Sequence, residues 1–263
     1  MSDDSSKPVE QPKKPDTKAL IPWNPWLAIV FVVFVYFTTQ IVAALALAIW
    51  PAINHWPSDQ TDNWLNTSIY AQFFFVLIAE GLVLLAVYQF LRLYGRSWKV
   101  IGFRRPKWSD VGMGLLLAPL YYLSYFLIIL AAGWLMPTLD MDQSQQLGFD
   151  PVGAWQLTLT FLSLVILPPL VEETLMRGFL YTSLKKGLPQ LAAAITTSVI
   201  FAAAHLQAGS GAPLLWVAAI DTFVLSLFLI WLREKTGSLW ASMTLHALKN
   251  SVAFITLFIF HLS

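Results

Sequence analysis

Cysteine is missing from all 263 residues. That excludes disulfides and a thiol nucleophile, and it leaves the redox compartment unmarked. Charge is nearly as scarce. Asp, Glu, Lys and Arg make up 12% of the chain, and a formal net charge of +1 gives no basic face to a nucleic acid. No His-Glu-x-x-His is present, so a zincin-type metal site is excluded. Polar surface is what the composition lacks most: hydrophobic residues reach 57% and mean hydropathy is +0.63. So little polar surface cannot cover a soluble domain of this length. The composition is that of a polytopic membrane protein.

Residues 1–22 are rich in Pro, Lys, Asp and Ser, too polar to bury a core, and are expected to form a disordered cytoplasmic tail. The apolar run Trp23–Trp50 is too long for the core of a secretory signal and lacks a small-residue cleavage site before Pro51. Residues 23–263 are therefore expected to be one all-α transmembrane domain, a polytopic helix bundle. Apolar segments of spanning length, about 20 residues, fall at 26–50, 69–93, 110–136, 155–184, 190–206, 213–232 and 238–261. This predicts seven spans, the fifth of them short, or eight if the long fourth segment breaks at Pro168-Pro169.

Basic residues sort the loops. Lys7, Lys13, Lys14 and Lys18 lie in the tail, Arg92 to Lys107 holds six more, and Lys185 with Lys186 and Arg233 with Lys235 form two further pairs. The intervening segments 51–68, 137–154 and 207–212 contain no Lys or Arg. The alternation places the N-terminus in the cytoplasm and the C-terminus outside. Trp26, Trp50, Trp108, Trp134, Trp155, Trp231 and Trp240 fall near span ends, where indole prefers the interface. Asp140, Asp142 and Asp150 read as solvated charges of an external loop.

The stretch Pro168-Pro169-Leu170-Val171-Glu172-Glu173-Thr174-Leu175-Met176-Arg177 sets ionised groups inside an apolar helix, where a charge costs several kcal/mol and marks a functional site. Glu173 and Arg177 are four apart and can pair on one face. Glu172 lies about 100° round the helix and is left for chemistry. Two further spans carry polar groups: Phe201-Ala-Ala-Ala-His205, and His246-Ala-Leu-Lys-Asn250 with His246 and Asn250 four apart. Glu172 is 13 residues from Lys185, His205 is 15 from Gln190, and His246 is 11 from Lys235. At 1.5 Å per residue, all lie about 16–23 Å from the cytoplasmic side. Three helices thus bring polar groups to one level.

A carboxylate and a histidine can hold a water and take its proton, and a second histidine with an amide N–H can meet the oxyanion of a peptide's tetrahedral intermediate. The plainer reading is that these groups bridge helices by hydrogen bonds. Metal binding by Glu172, His205 and His246 suits zinc by ligand type, and the spacing does not decide it. Ala208-Gly209-Ser210-Gly211 has the look of a serine elbow but sits in a short external loop, and Asp221 lacks the Gly-rich partner of an aspartyl site.

The three motifs, Glu172-Glu173-x-x-x-Arg177-Gly178-Phe179-Leu180, Phe201-x-x-x-His205 and His246-x-x-x-Asn250, resemble those of the CPBP family, the type II CAAX prenyl endopeptidases and bacteriocin-processing or self-immunity proteins also called the Abi family. The resemblance covers about residues 110–260. It implies an intramembrane endopeptidase, CAAX prenyl protease-like, with a cavity open to the cytosol. Glu172 and His205 would activate water, His246 and Asn250 would form the oxyanion site, and Glu173 and Arg177 would support the helix. The family's chemistry has been described both as metal-dependent and as metal-free; the Asn and second His, well used as oxyanion donors, favour the metal-free version, so no cofactor is expected. Lys249, inside the last motif, needs a counter-charge, with Glu80 and Asp221 as candidates and neutralisation as the expected role.

The expected partners are a membrane-associated peptide or protein substrate and the lipid bilayer, with no nucleic acid, and the expected location is a bacterial inner membrane. Two other classes are weighed against the enzyme. A non-enzymatic immunity or scaffold protein would tolerate Glu172→Gln. A transporter relaying charge through Glu80, Asp221 and Lys249 would be expected to show inverted-repeat symmetry, which the sequence does not.

Overall fold

The computed structural model describes residues 21–141, 143, 149–207 and 213–261. Residues 1–20 of the tail, Asp142 and the segment Ala208-Gly209-Ser210-Gly211 lie outside the described residues. Every regular element among those described is helical. The helices are α1 (Pro25–Ile53), α2 (Ser58–Thr67), α3 (Ile69–Leu93), α4 (Trp108–Leu135), α5 (Ala154–Leu184), α6 (Gln190–Ala204), α7 (Trp216–Thr236) and α8 (Trp240–Ile259). Six of them are long and apolar enough to cross a membrane, and α6 is a shorter apolar helix. The expected set of about seven is therefore observed. The polar α2 is an addition that no apolar stripe announced.

Helix starts follow local chemistry. Asn24 accepts from the Trp26 N–H at 2.9 Å, and Pro25 opens the first turn of α1 with a φ already helical. Ser68 caps α3 by accepting from the Ala71 N–H at 3.4 Å. The outward faces remain apolar, with Phe34, Leu116 and Leu123 exposed, as a lipid-facing surface requires. Trp26, Trp50, Trp108, Trp134, Trp155 and Trp231 are exposed at or near helix ends.

Two apolar cores hold the bundle. One joins α1, α3, α5 and α6 around Trp23, Phe90 and Phe179, and the other joins α4, α7 and α8 around Tyr121, Leu229 and Leu245. Helix α5 touches α1 and α3 on one side and α8 on the other, so it forms the seam between the cores. At one end of the bundle, Lys185 pairs with Glu234 at 2.6 Å and Lys186 donates to the Trp23 carbonyl at 3.1 Å. Arg104 and Arg233 lie at that end too, against Gly237 and Gly102. The described basic clusters expected in the cytoplasm thus share one end, while the lysines of the tail lie outside the described residues. Ile21 is buried there, and the indole of Trp23 stacks on Phe179 at 5.6 Å and donates to Ser183 Oγ at 2.7 Å.

Helix α5 does not break at Pro168-Pro169. It runs through two wide π-type stretches, Leu162–Ile166 and Thr174–Leu180, on either side of the segment Leu167–Glu173. The proline pair leaves the Leu164 carbonyl without a donor in either register, because Pro168 would supply the i+4 N–H and Pro169 the i+5 N–H. Asn250 of α8 supplies that donor from Nδ2 at 2.8 Å. A side chain from the next helix therefore keeps the seam helix whole across its weakest point.

Candidate active site

The two adjacent glutamates separate as helical spacing predicts. Glu173 is 0% exposed, and its Oε1 accepts from Arg177 Nη1 at 2.9 Å. Arg177, also 0% exposed, lies over the ring of Phe201 with 4.3 Å to the centroid, which adds a cation–π contact to the ion pair. The same Glu173 oxygen also accepts from His246 Nδ1 at 3.0 Å. An Arg177–Glu173–His246 chain therefore fixes the imidazole, a link between helices that spacing within one helix could not reveal. Glu172 points elsewhere. Its side chain is 27% exposed and its Oε2 has no hydrogen-bond partner among the described residues.

Two cavities border Glu172. The larger, about 320 Å³, runs between α1, α3, α5 and α6 and is lined by Tyr36, Gln40, Glu80, Glu172, Met176 and His205. The smaller, about 200 Å³, lies between α5, α6, α7 and α8, where Glu172 and His205 are joined by Pro168, His246, Lys249 and Asn250. Glu172 and His205 thus form part of the wall common to both. The residues that counting had set at one depth are brought together.

Local structure also sets the state of each ring. His205 closes the C-terminal end of α6, where its Nδ1 lies 2.9 Å from the Phe201 carbonyl. A carbonyl can only accept, so Nδ1 carries the proton and a neutral His205 has Nε2 free as an acceptor. For His246, Glu173 holds the Nδ1 proton and Nε2 lies 3.8 Å from Glu172 Oε2. Nε2 can donate to an oxyanion only in the doubly protonated ring. Asn250 spends one amide proton on Leu164 and keeps a second for a ligand in the smaller cavity.

The other intramembrane charges fall into place as well. Lys249 pairs with Asp221 at 3.1 Å, and the Tyr121 hydroxyl donates to the other Asp221 oxygen. Asp221 is therefore the counter-charge, and Glu80 instead lines the larger cavity beside Glu172. Sequence reasoning missed that position. The signal was available, since Glu80 stands 13 residues before the end of α3, at the same helical depth as Glu172. Glu172, His205 and His246 share a cavity, yet no group of three or more His, Asp or Glu among the described residues is arranged to hold a metal ion.

Chemically, the arrangement has the parts to activate water: a carboxylate with one oxygen outside any hydrogen bond among the described residues, an imidazole with a free acceptor nitrogen, and N–H donors on the facing helix. Residues 154–252, from α5 into α8, match the family model described as Rce1-like, type II CAAX prenyl endopeptidase. The match covers 99 of the 263 residues, so the likeness to that family is one of this stretch alone; six helices of spanning length make the chain an integral multi-pass membrane protein. No curated protein and no solved structure matches the chain significantly.

Proposed function

We propose that this protein is an endopeptidase that cuts a peptide bond of a membrane-associated peptide or protein, prenylated CAAX chains included, with Glu172 and His205 as the water-activating pair. One observation carries the reading: Glu172 lines both cavities with its side chain 27% exposed, while its neighbour Glu173 is wholly buried, lines neither, and is tied through Oε1 to Arg177 and His246. In the reaction, a water held between the Glu172 carboxylate and His205 Nε2 gives a proton to Glu172 as its oxygen attacks the carbonyl carbon. The remaining N–H of Asn250 receives the oxyanion, joined by Nε2–H of His246 where that ring carries both protons. Glu172 then passes its proton to the amide nitrogen as the C–N bond breaks, leaving a carboxylic acid and an amine, and the acid's remaining proton passes to the amine to give a carboxylate and an ammonium.

The metal-free reading rests on one observation: no group of three or more His, Asp or Glu among the described residues is arranged to hold a metal ion. The hydrogen bonds on one ring nitrogen of His205 and of His246 leave the other nitrogen of each ring available and do not bear on this. No step is therefore routed through a metal. The basic end of the bundle supports a cytoplasmic entry, and a bacterial inner membrane is the proposed setting. The experiment is cleavage of lipidated and unmodified membrane peptides by the protein in liposomes, beside Glu172→Gln. Loss of about 10³-fold or more in kcat/KM is expected for removal of the base. An inactive parent, with an unchanged cellular phenotype in Glu172→Gln, favours the immunity or scaffold role.

A further inference from the structure

Lys249 is the intramembrane group that the reaction above leaves unused. It stands on α8 between His246 and Asn250 and lines the smaller cavity with Glu172. It is 14 residues from Lys235, about 21 Å along the helical path, and so lies at the depth of Glu172. Among the described residues, Asp221 is the side chain that pairs with it. An ammonium has three donors, and Asp221 divides its own oxygens between Lys249 and Tyr121. Lys249 keeps a side-chain exposure of 27%, on a residue that faces the cavity.

Stability does not explain such a pair. A buried ion pair costs about as much in desolvation as it returns, and apolar residues of the same volume hold a bundle as well or better. Its value lies in a cation kept at mid-membrane depth by a partner that does not use all of its donors. A peptide cut near its carboxyl terminus brings one anion to that depth. Uncompensated, a carboxylate there costs several kcal/mol. A terminus two or three residues beyond the scissile bond, roughly 7–10 Å along extended chain, comes within range of a cation on the same cavity wall.

On the protease reading above, we propose that Lys249 is the residue that binds the carboxyl terminus of a substrate cut close to its end. Asp221 and Tyr121 act through Lys249, holding the ammonium on the cavity wall.

The test uses two peptides of one sequence, one ending in a free carboxylate and the other in a carboxamide, assayed on the same preparation of full-length protein in liposomes. The ratio of their kcat/KM values does not depend on how much protein is active. The expected preference for the free acid is at least about tenfold, the scale of one charge-assisted contact. In Lys249→Met/Asp221→Asn, which removes both charges and strands neither, the ratio falls to about one. Lys249→Gln gives a second reading. A ratio near one in the parent, or a ratio kept in the charge-free variants, overturns this inference and leaves the protease standing. Failure of the parent to cut either peptide overturns both.

Discussion

Removing Arg177 is the most informative test of how the site is held. The guanidinium is wholly buried, bonded to Glu173 at 2.9 Å and stacked over Phe201 at 4.3 Å. Its Nε and Nη2 and the second oxygen of Glu173 have no hydrogen-bond partners among the described residues, so the pair is incompletely satisfied. Arg177→Met keeps much of the volume and strands an anion in the seam helix, at a cost of about 3–5 kcal/mol, a large share of the roughly 5–15 kcal/mol that holds an ordinary domain together. Changing Glu173 to Gln in the same chain removes the stranded charge and still offers His246 Nδ1 an acceptor. The double variant is therefore more stable than Arg177→Met alone, by at least about 1–2 kcal/mol. Unfolding in detergent, followed by tryptophan fluorescence, measures both. A single variant costing less than about 1 kcal/mol, or a double variant worse than the single, would refute the view that Arg177 neutralises Glu173.

Three further outcomes follow from the geometry. Asn250→Ala orphans the Leu164 carbonyl and destabilises the fold by about 1–3 kcal/mol; adding Pro168→Ala, which restores a helical donor, recovers part of that in the same unfolding measurement. Gly102 has φ +97°, and a Cβ there would meet the Arg233 guanidinium at 2.5 Å. Gly102→Ala therefore lowers the midpoint of thermal unfolding, by about 1 kcal/mol or more from the backbone alone. Cleavage by the parent persists in a strong chelator, read as an unchanged rate after dialysis, because no step depends on a metal.

The sequence made much of the site legible for a simple reason. Inside a bilayer each ionised group is an exception, and counting 1.5 Å per residue from the basic ends puts Glu172, His205 and His246 at one level. The separate placement of Glu172 and Glu173 was also readable, because it is a matter of one helix's own spacing. Contacts between helices were not. That Glu173 grips His246 as well as Arg177, or that Lys249 turns to Asp221 and leaves Glu80 to the larger cavity, depends on rotations about helix axes that depth alone does not set. The proline pair left open a break in α5. Its carbonyl is repaired from α8 by Asn250, so a residue expected at the oxyanion also serves the fold. Helix α2 escaped notice because a short polar helix outside the membrane has no apolar face to announce it.

The central claim is that Glu172, and not its buried neighbour, is the base that activates water. The direct measurement is single-turnover cleavage of a lipidated CAAX peptide and an unmodified membrane peptide in liposomes by the parent, Glu172→Gln and His205→Ala. The account predicts cleavage by the parent, loss of about 10³-fold or more in Glu172→Gln, and about 10²-fold or more in His205→Ala, with the folded fraction unchanged. Cleavage by Glu172→Gln at the parental rate would contradict it.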